Sequence, residues 1–112
     1  MSRSDETAVH GPAVVVSEIK LRFVEDGHDG LIAWASCVIN GTVVLNNIAV
    51  RRGKDGRLML TYPAKQTAAG TRFYYFNPIS RQASACLERA ILRRLAELAK
   101  AASAPLGDGE AA

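Results

Sequence analysis

Apolar and polar side chains alternate from Glu18 to Phe23. Ile19, Leu21 and Phe23 fall on one side, and Glu18, Lys20 and Arg22 on the other. Period two with one wet side is the pattern of a half-buried strand, here predicted over about Val14 to Val24. Leu31 to Asn40 is apolar on both sides, which predicts a second, central strand. A third is predicted over Thr42 to Arg52. In the fourth, Arg57 to Tyr62, residues Leu58, Leu60 and Tyr62 oppose Arg57, Met59 and Thr61. Pro63 ends it, because proline cannot donate to a sheet ladder. Ala64 to Thr71 then reads as a loop, and Arg72 to Phe76 as a short aromatic fifth strand. The predicted turns are Glu25–Gly30 (EDGHDG), Gly41-Thr42 and Gly53–Gly56, all rich in residues that accept turn geometry.

The period changes after Asn77-Pro78-Ile79. Ser80 is placed to cap a helix by accepting an unpaired backbone N–H. Ala83, Leu87, Ala90, Ile91, Leu95 and Leu98 then recur at spacings of three and four and form one apolar stripe. Glu88, Arg89, Arg93 and Glu97 lie off it, with Glu97 one turn from Arg93. The helix fades near Ala102. Five strands followed by one helix predict an α+β domain: a five-stranded antiparallel sheet with a C-terminal amphipathic helix laid across one face. The polar residues 1–13 and the small, acidic residues 103–112 read as disordered arms around a domain of residues 14–102.

At 112 residues the chain fits one domain, and 48% hydrophobic residues allow a modest core. Cys37 and Cys86 are far apart, with no CxxC and no His or Cys at metal-ligand spacing. Two buried, reduced thiols of an intracellular protein are expected. The first residues lack the apolar stretch of a signal peptide, and no run reaches the ~20 apolar residues of a membrane span. From these features a cytoplasmic protein with no membrane partner is expected.

The formal net charge of +3 conceals a segregation. Residues 40–100 hold eleven basic and three acidic side chains, whereas the remainder holds three basic and eight acidic. A basic middle between acidic ends points to a polyanionic partner, although the same charges also serve as a solvated face. Arg51, Arg52, Lys54 and Arg57 cluster at one hairpin, Lys65 follows the fourth strand, and Arg72, Tyr74 and Phe76 share a side of the fifth. Cations beside aromatic rings can hold phosphates while stacking bases. Ordinary sheet packing is the other account of Tyr74 and Phe76. Arg89, Arg93 and Arg94 form a second basic group on the helix.

No signature of catalysis accompanies these charges. Neither GxxxxGK[ST] nor GxGxxG occurs. Turn chemistry accounts for Asp26, His28 and Asp29 without a metal. Ser17, Ser36, Ser80 and Ser84 have no signature of a catalytic partner around them. No enzymatic activity, cofactor or small-molecule substrate is expected.

The strand SEIKLRFV, the segments LNNIAV and GKDGRLMLTYPAK, the G-T-R-F-Y turn, and N-P-I before the helix follow one another in an order that resembles the stage V sporulation protein G (SpoVG) or septation protein family. The likeness runs from about Ser17 to Leu95. It implies a five-strand-plus-helix fold, a homodimer built through the sheet, and gene regulation by binding DNA or RNA, linked to sporulation and septum formation in cell division. It places nucleic-acid contact first at Lys65, next at Arg51, Arg52 and Arg72, and last on the helix. The chain departs from the family pattern at Asn47, where an acid is usual, at Ala49 in place of a frequent cation, and at Gln66 in place of the second cation of a pair. The competing expectation is a protein-interaction module of the division machinery with no nucleic-acid ligand, reached through an exposed sheet edge.

Overall fold

The computed structural model describes residues 14–103; the two predicted arms lie outside them, apart from Ser103. Six strands precede one helix: β1 (Val16–Phe23), β2 (Leu31–Ile39), β3 (Val43–Arg52), β4 (Leu58–Thr61), β5 (Ala64–Gln66), β6 (Arg72–Tyr74) and α1 (Arg81–Ser103). The fold is α+β, with a four-stranded antiparallel sheet in the order β1-β2-β3-β4 and a separate two-stranded ribbon, β5-β6. The single five-stranded sheet is therefore corrected. The segment expected as a loop contains β5, which pairs with β6 in the register Ala64↔Tyr74, Lys65↔Phe73 and Gln66↔Arg72. Pro63 ends β4 as expected, and the chain departs from the main sheet there.

Turn chemistry sets the connections. Asn40 and Gly41 both have positive φ, 51° and 66°, and the Thr42 N–H donates to the Ile39 carbonyl at 2.9 Å. This is the Asn-Gly hairpin geometry whose twist matches that of the flanking strands, placed one residue earlier than the sequence reading. Asn40 also secures the start of β1. Its side-chain Oδ1 accepts from the Val15 N–H at 2.8 Å, and its own N–H donates to the Val15 carbonyl at 2.8 Å. At the far end of the sheet, Gly30 has φ 77° and lies against the backbone of Arg52, whose N–H donates to the Gly30 carbonyl at 2.8 Å. A Cβ at Gly30 would be pressed onto the Arg52 carbonyl oxygen.

The core lies between one sheet face and α1. Ala33, Ala35 and Cys37 of β2, Ile48 and Val50 of β3, and Leu60 of β4 meet Leu87, Ile91 and Leu95 of the helix. Among the described residues no polar or charged side chain is buried. The helix begins where predicted: Ser80 Oγ accepts from the Ala83 N–H at 3.0 Å, three residues into the first turn. Two sequence expectations need correction. Cys37 is buried but Cys86 is only half-buried, and both are free. Glu97 pairs with Arg94 at 3.2 Å, at i,i+3, and not with Arg93.

Two substitutions test this account. Ile91 is fully buried, so Ile91→Ala should lower the unfolding free energy by about 2–5 kcal/mol, read from urea melts with an unchanged slope. Gly30→Ala combines an unfavourable φ with a backbone clash and should cost about 1–3 kcal/mol or more by the same measurement.

Candidate nucleic-acid interface

The β5-β6 ribbon stands beside the end of β4 and encloses a groove with it. One part, of about 380 Å³, is lined by Asp29, Arg51, Thr61, Tyr62, Ala64, Gln66 and Arg72. A second, of about 220 Å³, is lined by Leu60, Thr61, Tyr62, Arg72, Tyr74, Asn77 and Pro78. Thr61, Tyr62 and Arg72 line both parts. Arg72 and Tyr74 alternate onto the same side of β6, which places a guanidinium and an exposed aromatic ring along one wall. Arg72 has no ion-pair partner among the described residues.

Arg51 is held differently. Its Nε donates to Thr61 Oγ1 at 3.2 Å, and one terminal nitrogen donates to the carbonyls of His28 and Asp29 at 3.3 Å each. It therefore braces the β1–β2 turn against β3 and β4, and keeps fewer donors free than its place in the basic cluster implied. Asp29 lines the same part of the groove.

The other predicted contacts are dispersed. Arg52, Lys54 and Arg57 are exposed at the β3–β4 hairpin. There Arg52 donates to the Gly56 carbonyl at 3.4 Å, and Asp55 Oδ1 accepts from the Arg57 N–H at 3.0 Å. Lys65 is exposed, but the ribbon register puts it opposite Phe73, on the face away from Arg72, Tyr74 and Gln66. Arg89 and Arg93 line a shallow hollow with Val14, Val16 and Cys86, where α1 passes the start of β1. One continuous surface carrying all the predicted cations is not formed within a single chain. The structure brings together Arg51, Arg72 and Tyr74, and separates Lys65 and the helix arginines from them.

Phe76 does not continue the aromatic side of β6. The strand ends at Tyr74, and Phe76 turns inward to meet Tyr62 edge-to-face, with ring centroids 6.1 Å apart and planes at 71°. Its role is packing. The sequence reading missed Gln66, Thr61 and Tyr62 as groove residues, because β5 carries no apolar alternation to mark it as a strand. No helix among the described residues is long and apolar enough to cross a membrane. No group of three or more His, Cys, Asp or Glu among them is arranged to hold a metal ion.

Compared with known proteins, the chain matches no family model and no curated protein.

Tyr62 gives the site a pH signature. Its hydroxyl is buried without a hydrogen-bond partner. Burial, followed by the Glu88 carboxylate and Cys37, pushes its pKa from 10.0 up to about 12. The folded state thus holds the phenolic proton more tightly than the unfolded chain. The associated stability is fully present below 10.0 and is lost as pH rises toward about 12. Tyr62→Phe should remove this alkaline loss in urea melts. At neutral pH it should leave stability unchanged or raise it, since an unsatisfied hydroxyl is removed.

Proposed function

We propose that this protein is a homodimeric, cytoplasmic regulator that binds DNA or RNA, of the kind its resemblance to the SpoVG family implies, with the sporulation and septation links that accompany that resemblance. The observation that carries this reading is the groove between β4 and the ribbon, where Arg72 and Tyr74 share one wall. A guanidinium with no ion-pair partner among the described residues is available for a phosphate, and an adjacent exposed ring offers a face to a base. Arg51 fixes the opposite wall. The β3–β4 hairpin cations Arg52, Lys54 and Arg57, together with Lys65, add sequence-independent attraction around it. Pairing two chains through the sheet multiplies these patches and supplies contacts that one chain keeps apart, including those of Lys65, Arg89 and Arg93. No catalysis is proposed.

A second reading, a protein-interaction module, is favoured by the apolar surface. Phe73, Tyr75 and Ile79 are 57%, 69% and 96% exposed, respectively. An apolar hollow of about 240 Å³ between the β2–β3 hairpin and the start of α1 includes Ile39, Val43, Leu45, Phe76 and Leu87 in its lining. In the first reading a second copy of the chain covers part of this surface.

The test is binding of labelled DNA and RNA oligonucleotides across a salt series, with the oligomeric state followed by light scattering. Affinity should fall steeply with salt from a dimer. Arg72→Glu should weaken binding about tenfold or more and lower the salt slope by about 0.7 for a single strand. Lys65→Glu should weaken it less. Unchanged binding in Arg72→Glu would remove the groove from the interface. A clean dimer with no affinity for either nucleic acid would favour the protein-partner reading.

A further inference from the structure

The sheet face turned away from α1 carries a second built hollow, whose cations lie outside the basic middle of the sequence. It encloses about 220 Å³, and its lining includes Lys20 and Arg22 of β1, Trp34 and Ser36 of β2, and Asn46 and Asn47 of β3. The register places Arg22 directly across from Trp34, and Lys20 across from Ser36. Ala49 of β3 lies on the other side of Trp34. Alternation along β2 sends Ala33, Ala35 and Cys37 into the core, so Trp34 and Ser36 belong to the open face.

Two irregularities shape this hollow. The β1–β2 register shifts between Ser17 and Lys20, and the β2–β3 register shifts between Ala35 and Cys37. Within these breaks Glu18 has φ 49° and Asn47 φ 64°. Asparagine tolerates such a conformation better than glutamate does, and residues held there store backbone strain. Bulges re-aim side chains and sharpen local twist. Here they flank Ser36 from both neighbouring strands, so the sheet is dished at the same level where cationic, indole, hydroxyl and amide groups converge. Neither Lys20 nor Arg22 has an ion-pair partner among the described residues.

We infer that this hollow is a second nucleic-acid site, taking one nucleotide of a single strand, with the base against Trp34 and the flanking phosphates on Lys20 and Arg22. Asn46, Asn47 and Ser36 offer hydrogen bonds to the base or sugar edge. The chemistry is that of a stacking platform beside backbone cations. A duplex keeps its bases stacked inside and cannot offer a face to Trp34. The inference rests on the nucleic-acid reading above, and assigns that ligand a place on the open sheet face and a single-stranded form.

Trp34 is the only tryptophan of the chain, so its fluorescence reports this hollow directly. Full-length protein is titrated with a short single-stranded oligonucleotide, and with the matching duplex, while anisotropy of a labelled strand gives total binding. Single strand should quench Trp34 and duplex should not. Lys20→Glu combined with Arg22→Glu should weaken single-strand binding at least tenfold. Both residues are exposed, so this variant should keep the wild-type circular dichroism and melting temperature. Trp34→Phe should bind nearly as wild type, and Trp34→Leu at least fivefold more weakly. Single-strand binding by anisotropy with no quench, and with the double variant at wild-type affinity, would overturn the second site and leave the ribbon groove standing. No binding to either oligonucleotide would overturn both.

Discussion

The fold depends on the apolar cluster that α1 closes over the central strand β2 and its neighbours β3 and β4, with the closest backbone approaches of the helix falling at β1 and β4. The core-facing residues of that central strand are Ala33, Ala35 and Cys37, all small. They form a shallow floor into which Leu87, Ile91 and Leu95 descend, with Ile48, Val50 and Leu60 as side walls. Burial of this stripe is the main source of helix stability, because helical propensity alone supports an isolated helix only marginally. Ser80 fixes the helix start and therefore which residues meet the floor. A bulky side chain at Ala33 or Ala35 would lift the helix and open the core along its length.

Since one face of the sheet is given to apolar packing, the hollows lined by polar groups on the sheet lie on its other face and against the ribbon. The two surfaces are built differently. The open face obtains its shape from bulges within a sheet whose backbone is otherwise well paired. The groove obtains its shape from the departure of the chain at Pro63 and its return at Pro78. Arg51 links the two regions. It lies on β3, reaches Thr61 on β4, and holds the carbonyls of the β1–β2 turn. Its guanidinium keeps its charge, but its Nε and one terminal nitrogen are committed to local geometry, which leaves fewer donors for a ligand.

The main sheet was legible because its strands carry an alternation that burial enforces, and the helix because its stripe has the helical period and a capping serine. The ribbon was not legible. Ala64, Lys65 and Gln66 are all exposed, so no hydrophobic pattern marks them, and their pairing rests on backbone hydrogen bonds. The relative sides of Lys65 and Arg72 follow from that pairing, which is why a list of cations in sequence order merged two opposite faces into one. The bulges at Glu18 and Asn47 escaped for a related reason: side-chain alternation in the sequence carries no mark of an inserted residue. Lys20 and Arg22 were visible as the wet side of β1. Their association with Trp34 needed the cross-strand register. Candidate cations could be named from the sequence, whereas their grouping into sites required the register and the groove.

All six residues of the ribbon strands are exposed, and among its described ties to the rest of the chain are the Tyr75 N–H to the Pro63 carbonyl at 3.0 Å and the Tyr62–Phe76 ring contact. Little apolar area is buried by the strands themselves, so their sequence contributes little to the folding free energy. Few buried apolar contacts and solvent-exposed backbone hydrogen bonds are the features of segments with low local stability. Substitutions there are nearly neutral for stability and can change what the surface recognises. The ribbon is thus the part of this protein whose sequence the folding free energy constrains least, while the helix and the alanine floor beneath it are held to their present sizes.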